Sequence, residues 1–249
     1  VSTAATPGDA ARRVSASDED ATVVAVGVDP AGAAATLTSD LATPAAFDAV
    51  TALADVTEAM ATLALAGVAA GGGVPERDAP AAADRAPAER RSGVAVPTAD
   101  LVDGLAHSTL VHARFSGNTD AAGAALADLD LPAELDADDR RRLASVVALD
   151  ASAGDSASAE AMERALRPLA PGDPFATIGG YADVLDTTAR TDSGTALALA
   201  LGHDVRTAAL DAWRDAAAAV HEAVRIAEPA RHSGLVVADV GDASVWTAA

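Results

Sequence analysis

The chain contains no cysteine, no lysine and no glutamine, and a single asparagine, Asn118. The lack of cysteine excludes disulfides, thiolate nucleophiles and cysteine-based zinc sites together. The lack of lysine excludes a P-loop, which needs an ammonium after its glycines, so the run Gly71-Gly72-Gly73 reads as a helix terminator. Aromatic residues are scarce: Phe47, Phe115, Phe175, Tyr181, Trp213 and Trp246 are the whole set in 249 residues. Ala, Val and Leu must therefore fill the core, and small side chains bury little area each. No stretch reaches the roughly 18 apolar residues that a membrane helix needs. The opening residues lack a basic start followed by an apolar signal region, so the cytoplasm is the expected compartment and no membrane partner is expected.

What is present in excess is acid. There are 37 acidic against 17 basic residues, every basic one an arginine, for a net charge of -20. Self-repulsion on that scale strains a compact fold unless salt screens it, and the Debye length falls from about 10 Å at 0.1 M to roughly 3 Å at 1 M. The acids are dispersed between apolar positions and mean hydropathy is positive, unlike a disordered acidic tail. In this the chain resembles proteins of salt-accumulating haloarchaea. At such ionic strength a negative surface neither excludes nucleic acid nor argues for it.

Along the chain, residues 1–20 read as a flexible lead-in, and residues 21–29 as a buried strand ended by Pro30. Asp29 at its carboxyl end is where α/β folds place ligands, although Asp-Pro is also an ordinary turn. Helices are predicted from Thr43-Pro44 onward and over about 57–70. Residues 74–92 lack an apolar period, 93–97 read as a short strand, and Thr98 is expected to cap a helix through His107. Beyond a turn at 115–118 helices dominate, over 119–129, 136–149, 159–169, 175–189 and 205–227, the last with Leu210, Trp213, Val220 and Val224 along one face. A strand returns at 234–240. These patterns divide the chain into a lead-in (1–20), an α/β part (21–115), a mainly helical part (116–232) and the start of a further strand-containing part (233–249). The first residue, Val1, and the strand-like run near the end point to a longer reading frame.

The most suggestive polar group is Asp100, Asp103, His107 and His112. Asp103 and His107 lie four apart and share a helical face. Asp and His suit Mn²⁺ or a similar ion, but the same spacing is common on a solvated helix face. His203, His221 and His232 are scattered and read as surface or cap residues. Arg90-Arg91 and Arg140-Arg141-Arg142 could grip phosphates, but Asp138 and Asp139 beside the second run make ion pairing on the helix the commoner outcome. No Gly-x-Ser-x-Gly elbow occurs, and Ser108 beside His107 does not make a triad by adjacency.

Four stretches, in order, resemble the archaeal RecJ-like proteins of the DHH phosphoesterase superfamily. They are residues 63–71 (LALAGVAAG), 105–110 (LAHSTL) leading to 115–118 (FSGN), 175–183 (FATIGGYAD) and 196–202 (ALALALG). The resemblance implies an α/β fold, part of a parallel-sheet DHH-type domain with a helical insert. It also implies metal-dependent exonuclease chemistry on single-stranded DNA, with two Mn²⁺ or Mg²⁺ ions, and partners in replication or repair including GINS-type proteins. The Asp-His-His signature and the amino-terminal His-x-Asp-x-Asp type motif are absent, and small residues stand after Gly67 where relatives place a metal-binding Asp. No catalytic residue is carried over, and the expected role is that of a non-catalytic scaffold or a fragment of the nuclease. The alternatives are an active Mn²⁺-dependent exonuclease and an acidic helical interaction domain without nucleic-acid function.

Overall fold

A computed structural model describes residues 6–18, 23–26, 29–37, 42–132, 134–151, 159–232 and 235–240. The elements run α1 (Pro7–Ser15), β1 (Val24–Val26), β2 (Ala35–Leu37), α2 (Ala42–Leu53), α3 (Glu58–Ala70), α4 (Pro75–Asp78), α5 (Pro80–Ala83), β3 (Glu89–Arg90), α6 (Leu101–His107) and α7 (Thr119–Ala127). They continue with α8 (Ala137–Ala151), α9 (Ala159–Leu166), β4 (Leu169–Ala170), α10 (Ile178–Thr191), α11 (Ser193–Ala200), α12 (Arg206–Ile226), β5 (Glu228–His232) and β6 (Leu235–Asp239). The fold is mixed α/β and dominated by helix.

Strands occur among the described residues as three separate pairs, β1 with β2, β3 with β4, and β5 with β6. Only the first pair is parallel. A continuous parallel sheet of the DHH type is therefore not seen among the described residues. The expected lead-in holds α1, which starts because Thr6 Oγ1 accepts the Asp9 amide at 3.1 Å and Pro7 occupies the first turn. The strand expected over 21–29 is seen at 24–26; residues 21–22 and 27–28 lie outside the described residues.

Two apolar clusters organise the rest. The first joins α2, α3, α10, α11 and α12 through Phe47, Leu65, Val68, Ile178, Tyr181, Val184, Leu199, Leu210 and Trp213. The second joins α6, α7, α8 and α9 through Val94, Val96, Leu105, Phe115, Ala122, Leu143, Val147 and Ala165. With few aromatics, the helices approach closely through alanine: Ala61, Ala64, Ala66 and Val68 of α3 are all buried. After Gly67, Val68 is buried in this packing, whereas Ala69 and Ala70 are half-buried.

Residues 94–97 run along the second cluster, to which Val94 and Val96 belong. The segment is buried but forms no strand with any described residue, correcting the strand expected over 93–97. Its backbone is held instead by Ala95 N–H on the Ala165 carbonyl (2.8 Å), Ala176 N–H on the Pro97 carbonyl (3.0 Å) and Thr177 Oγ1 on the Val96 carbonyl (2.9 Å). Two glycines make room for it. A Cβ on Gly104 of α6 would lie 2.7 Å from Val96 Cβ, and one on Gly180 of α10 would lie 2.2 Å from the Val96 carbonyl carbon.

Candidate functional site

The polar side chains of two of the resembling stretches meet around the loop 108–118 that links α6 to α7. Asp100 opens α6 as its N-cap, its Oδ1 accepting the amides of Val102 (2.9 Å) and Asp103 (3.2 Å). The expected cap, Thr98, instead donates its hydroxyl to the Asp100 carbonyl at 2.9 Å. One turn on, both oxygens of Asp103 accept from Arg214 of α12, from Nε at 2.9 Å and Nη2 at 3.0 Å. That guanidinium, with His107 nearby, holds Asp103 below the usual carboxylate range. His107 Nδ1 lies 3.0 Å from the Asp103 carbonyl and 3.2 Å from Asp103 Oδ1, and its ring stands edge-on to Trp213 at 5.7 Å.

Beneath this layer Asp183 of α10 is buried. Its Oδ2 accepts the Thr109 amide and the Trp213 indole Nε1–H, both at 3.0 Å, and its Oδ1 accepts the Thr109 hydroxyl. Burial pushes its carboxyl up to about 6, against the opposing pull of those donors.

On the far side of the loop, His112 Nδ1 lies 3.1 Å from His221 Nδ1, and His221 Nε2 lies 3.1 Å from the Ser108 carbonyl. A carbonyl only accepts, so Nε2 of His221 carries a proton. Burial, reinforced by His112, pushes His221 down to about 4, so the neutral ring offers Nδ1 as acceptor. His112 must then donate from Nδ1, which leaves its own Nε2 as a lone-pair acceptor on the exposed side of the pair. His112 is itself lowered by burial and by Arg225. Arg225 Nη1 donates to the Ser116 carbonyl at 3.1 Å, and Asp150 of α8 accepts the Arg114 amide at 2.8 Å. The loop is pinned from α8, α10 and α12 at once.

Of the residues singled out in sequence, Asp103 and His107 are brought together, whereas Asp100 is spent on capping and His112 pairs with His221. Among the described residues no three His, Asp or Glu side chains form a group able to hold a metal ion. With both Asp103 oxygens on Arg214 and His107 Nδ1 turned to Asp103, these four side chains do not fit a divalent ion, and no chemistry is routed through one. His221, read from sequence as a surface or cap residue, is 1% exposed. Asp183 lay inside a resembling stretch without being singled out; an Asp amid Tyr181, Ala182 and Val184 was the signal that could have found it. Arg141 and Arg142 pair with Asp138 and Asp139 as expected on one helix.

No protein-family model matches the chain. The chain is similar to an uncharacterized protein of Haloarcula marismortui, at 47% identity over 225 residues, covering 88% of this chain and 59% of the relative. It therefore spans less than two thirds of that relative's length. No helix among the described residues is long and apolar enough to cross a membrane.

Proposed function

We propose that this chain is a RecJ-like DNA replication or repair protein acting in the cytoplasm of a salt-accumulating cell, and that its described residues serve as a binding scaffold rather than a nuclease centre. The supporting observation is the inward use of the polar groups in the resembling stretches. Asp183 receives three hydrogen bonds from Thr109 and Trp213, and Asp103 spends both oxygens on Arg214. A carboxylate held this way positions helices and is not free to ligate Mn²⁺ or Mg²⁺. The scaffold's partners on this reading are single-stranded DNA and GINS-type replication proteins.

The test is digestion of end-labelled single-stranded DNA in multimolar KCl with Mn²⁺, run beside fluorescence anisotropy for DNA and for a GINS-type protein. Binding without cleavage is the expected result. Metal-dependent degradation that disappears on replacing Asp103 or His107 would overturn the scaffold reading in favour of an exonuclease. Absence of binding to both, by a folded chain, would leave an acidic interaction domain without nucleic-acid function.

A further inference from the structure

In a protein with a formal charge of -20, three of the 17 basic residues line one cavity of about 230 Å³, and among the described residues no acidic side chain lines it. Arg90 comes from β3, Arg164 from α9 and Arg167 from the turn before β4; Leu110, Leu169 and Ile178 supply apolar wall. The first turn of α10 also borders it, and a helix start leaves amides without intrahelical partners.

The three guanidiniums differ in how far they are already neutralised. Arg90 is fixed by Glu76, with Nε on Oε1 at 2.7 Å and Nη2 on Oε2, and its Nη1 donates to the Arg167 carbonyl at 2.6 Å. Arg167 faces Glu163 at 3.7 Å with its side chain largely exposed. Arg164 donates Nη1 to the Gly72 carbonyl at 2.9 Å, which positions the group but cancels no charge, and among the described residues no carboxylate pairs with it. Even counting Glu76 and Glu163, the cavity keeps positive charge, set against an apolar wall.

We propose that this cavity binds a small organic phosphomonoester. Its phosphoryl oxygens would meet Arg164 and Arg167, whose planar forks suit bidentate contact, with Arg90 held rigidly behind them. Its organic part lies over Leu110, Leu169 and Ile178. The volume suits a compact ligand and not a polymer, so this site is independent of the DNA reading above.

The probe is phenyl phosphate, titrated into the full chain in multimolar KCl and followed by ³¹P line broadening, with inorganic phosphate, phenol and a 5′-phosphorylated oligonucleotide as comparisons. Phenyl phosphate should bind more tightly than inorganic phosphate because only it covers the apolar wall, and phenol should not bind. The double variant Arg164→Ala/Arg167→Ala should weaken phenyl phosphate by roughly tenfold to a hundredfold, the loss of one or two charge-assisted hydrogen bonds. Far-ultraviolet circular dichroism checks that the variant is folded, and Arg164→Lys/Arg167→Lys, which keeps the charge, should restore part of the affinity. Unchanged affinity in a folded double variant, or binding of the oligonucleotide alone, overturns the proposal.

Discussion

The indole Nε1 of Trp213 donates to Asp183 Oδ2 at 3.0 Å in the interior, and this bond ties α12, the longest helix described, to α10. The same carboxylate also holds Thr109, the second residue of the α6–α7 loop. A buried acceptor with three donors is costly to remove and easy to imitate. Asp183→Ala should destabilise the fold by about 3 kcal/mol or more, because several buried donors lose their acceptor. Asp183→Asn should cost far less, since its carbonyl can take the Oδ2 position while Thr109 turns its hydroxyl to accept. Urea unfolding at constant KCl measures both; equal losses would show that the carboxylate does not organise these donors.

Asp183 and His221 oppose one another in pH dependence. The folded chain raises Asp183 to about 6 from 3.8, so its contribution is full below 3.8 and is lost as pH rises through 6. It lowers His221 to about 4 from 6.5, so that contribution is full above 6.5 and is lost as pH falls through 4. Between these limits the two slopes partly cancel. In Asp183→Asn the histidine term stands unopposed, and urea midpoints should fall more steeply from pH 7 to pH 4 than in the parent chain. Parallel profiles would refute the opposition.

Two glycine substitutions should have opposite signs. Gly180→Ala drives a Cβ against the Val96 backbone at 2.2 Å, an overpacking that costs on the order of 3 kcal/mol. Gly123→Ala in α7 meets nothing within 4 Å and should stabilise by about 0.5–1 kcal/mol through lower unfolded-chain entropy. Thermal melts in the same high-salt buffer would compare the pair.

Salt itself is the broadest lever. Near-native circular dichroism should be lost below about 0.5 M KCl, where screening of the -20 net charge weakens. Retention of the signal in dilute buffer would remove the halophilic argument.

Helices with strong local signals were legible in advance. α3 starts at Thr57, whose hydroxyl accepts the Met60 amide at 3.2 Å, and ends at the triple glycine, with Gly72 at a φ of 80°. Positions that depend on distant partners were not. Val220 and Val224 were expected on the buried face of α12, yet Val224 is 45% exposed and the buried stripe is Leu210, Trp213, Ala217 and His221. Hydrophobicity favoured valine, whereas the interior accepted an imidazole because Ser108 and His112 satisfy both its nitrogens. β5 was missed because Glu228, Pro229 and Arg231 carry no strand signature; pairing with β6 makes it a strand.

By itself the sequence determined the charge, the dependence on small apolar side chains for a core, and the start and stop of α3, since each follows from residue identity or from neighbours within a turn. Only the tertiary structure decided that residues 94–97 are buried without forming a strand among the described residues, that Asp103 belongs to Arg214, and that Asp183 is enclosed with Thr109 and Trp213. Those pairings join residues tens of positions apart, and burial and partner geometry, which settle whether a carboxylate caps, bridges or is free to bind, arise only when the helices pack.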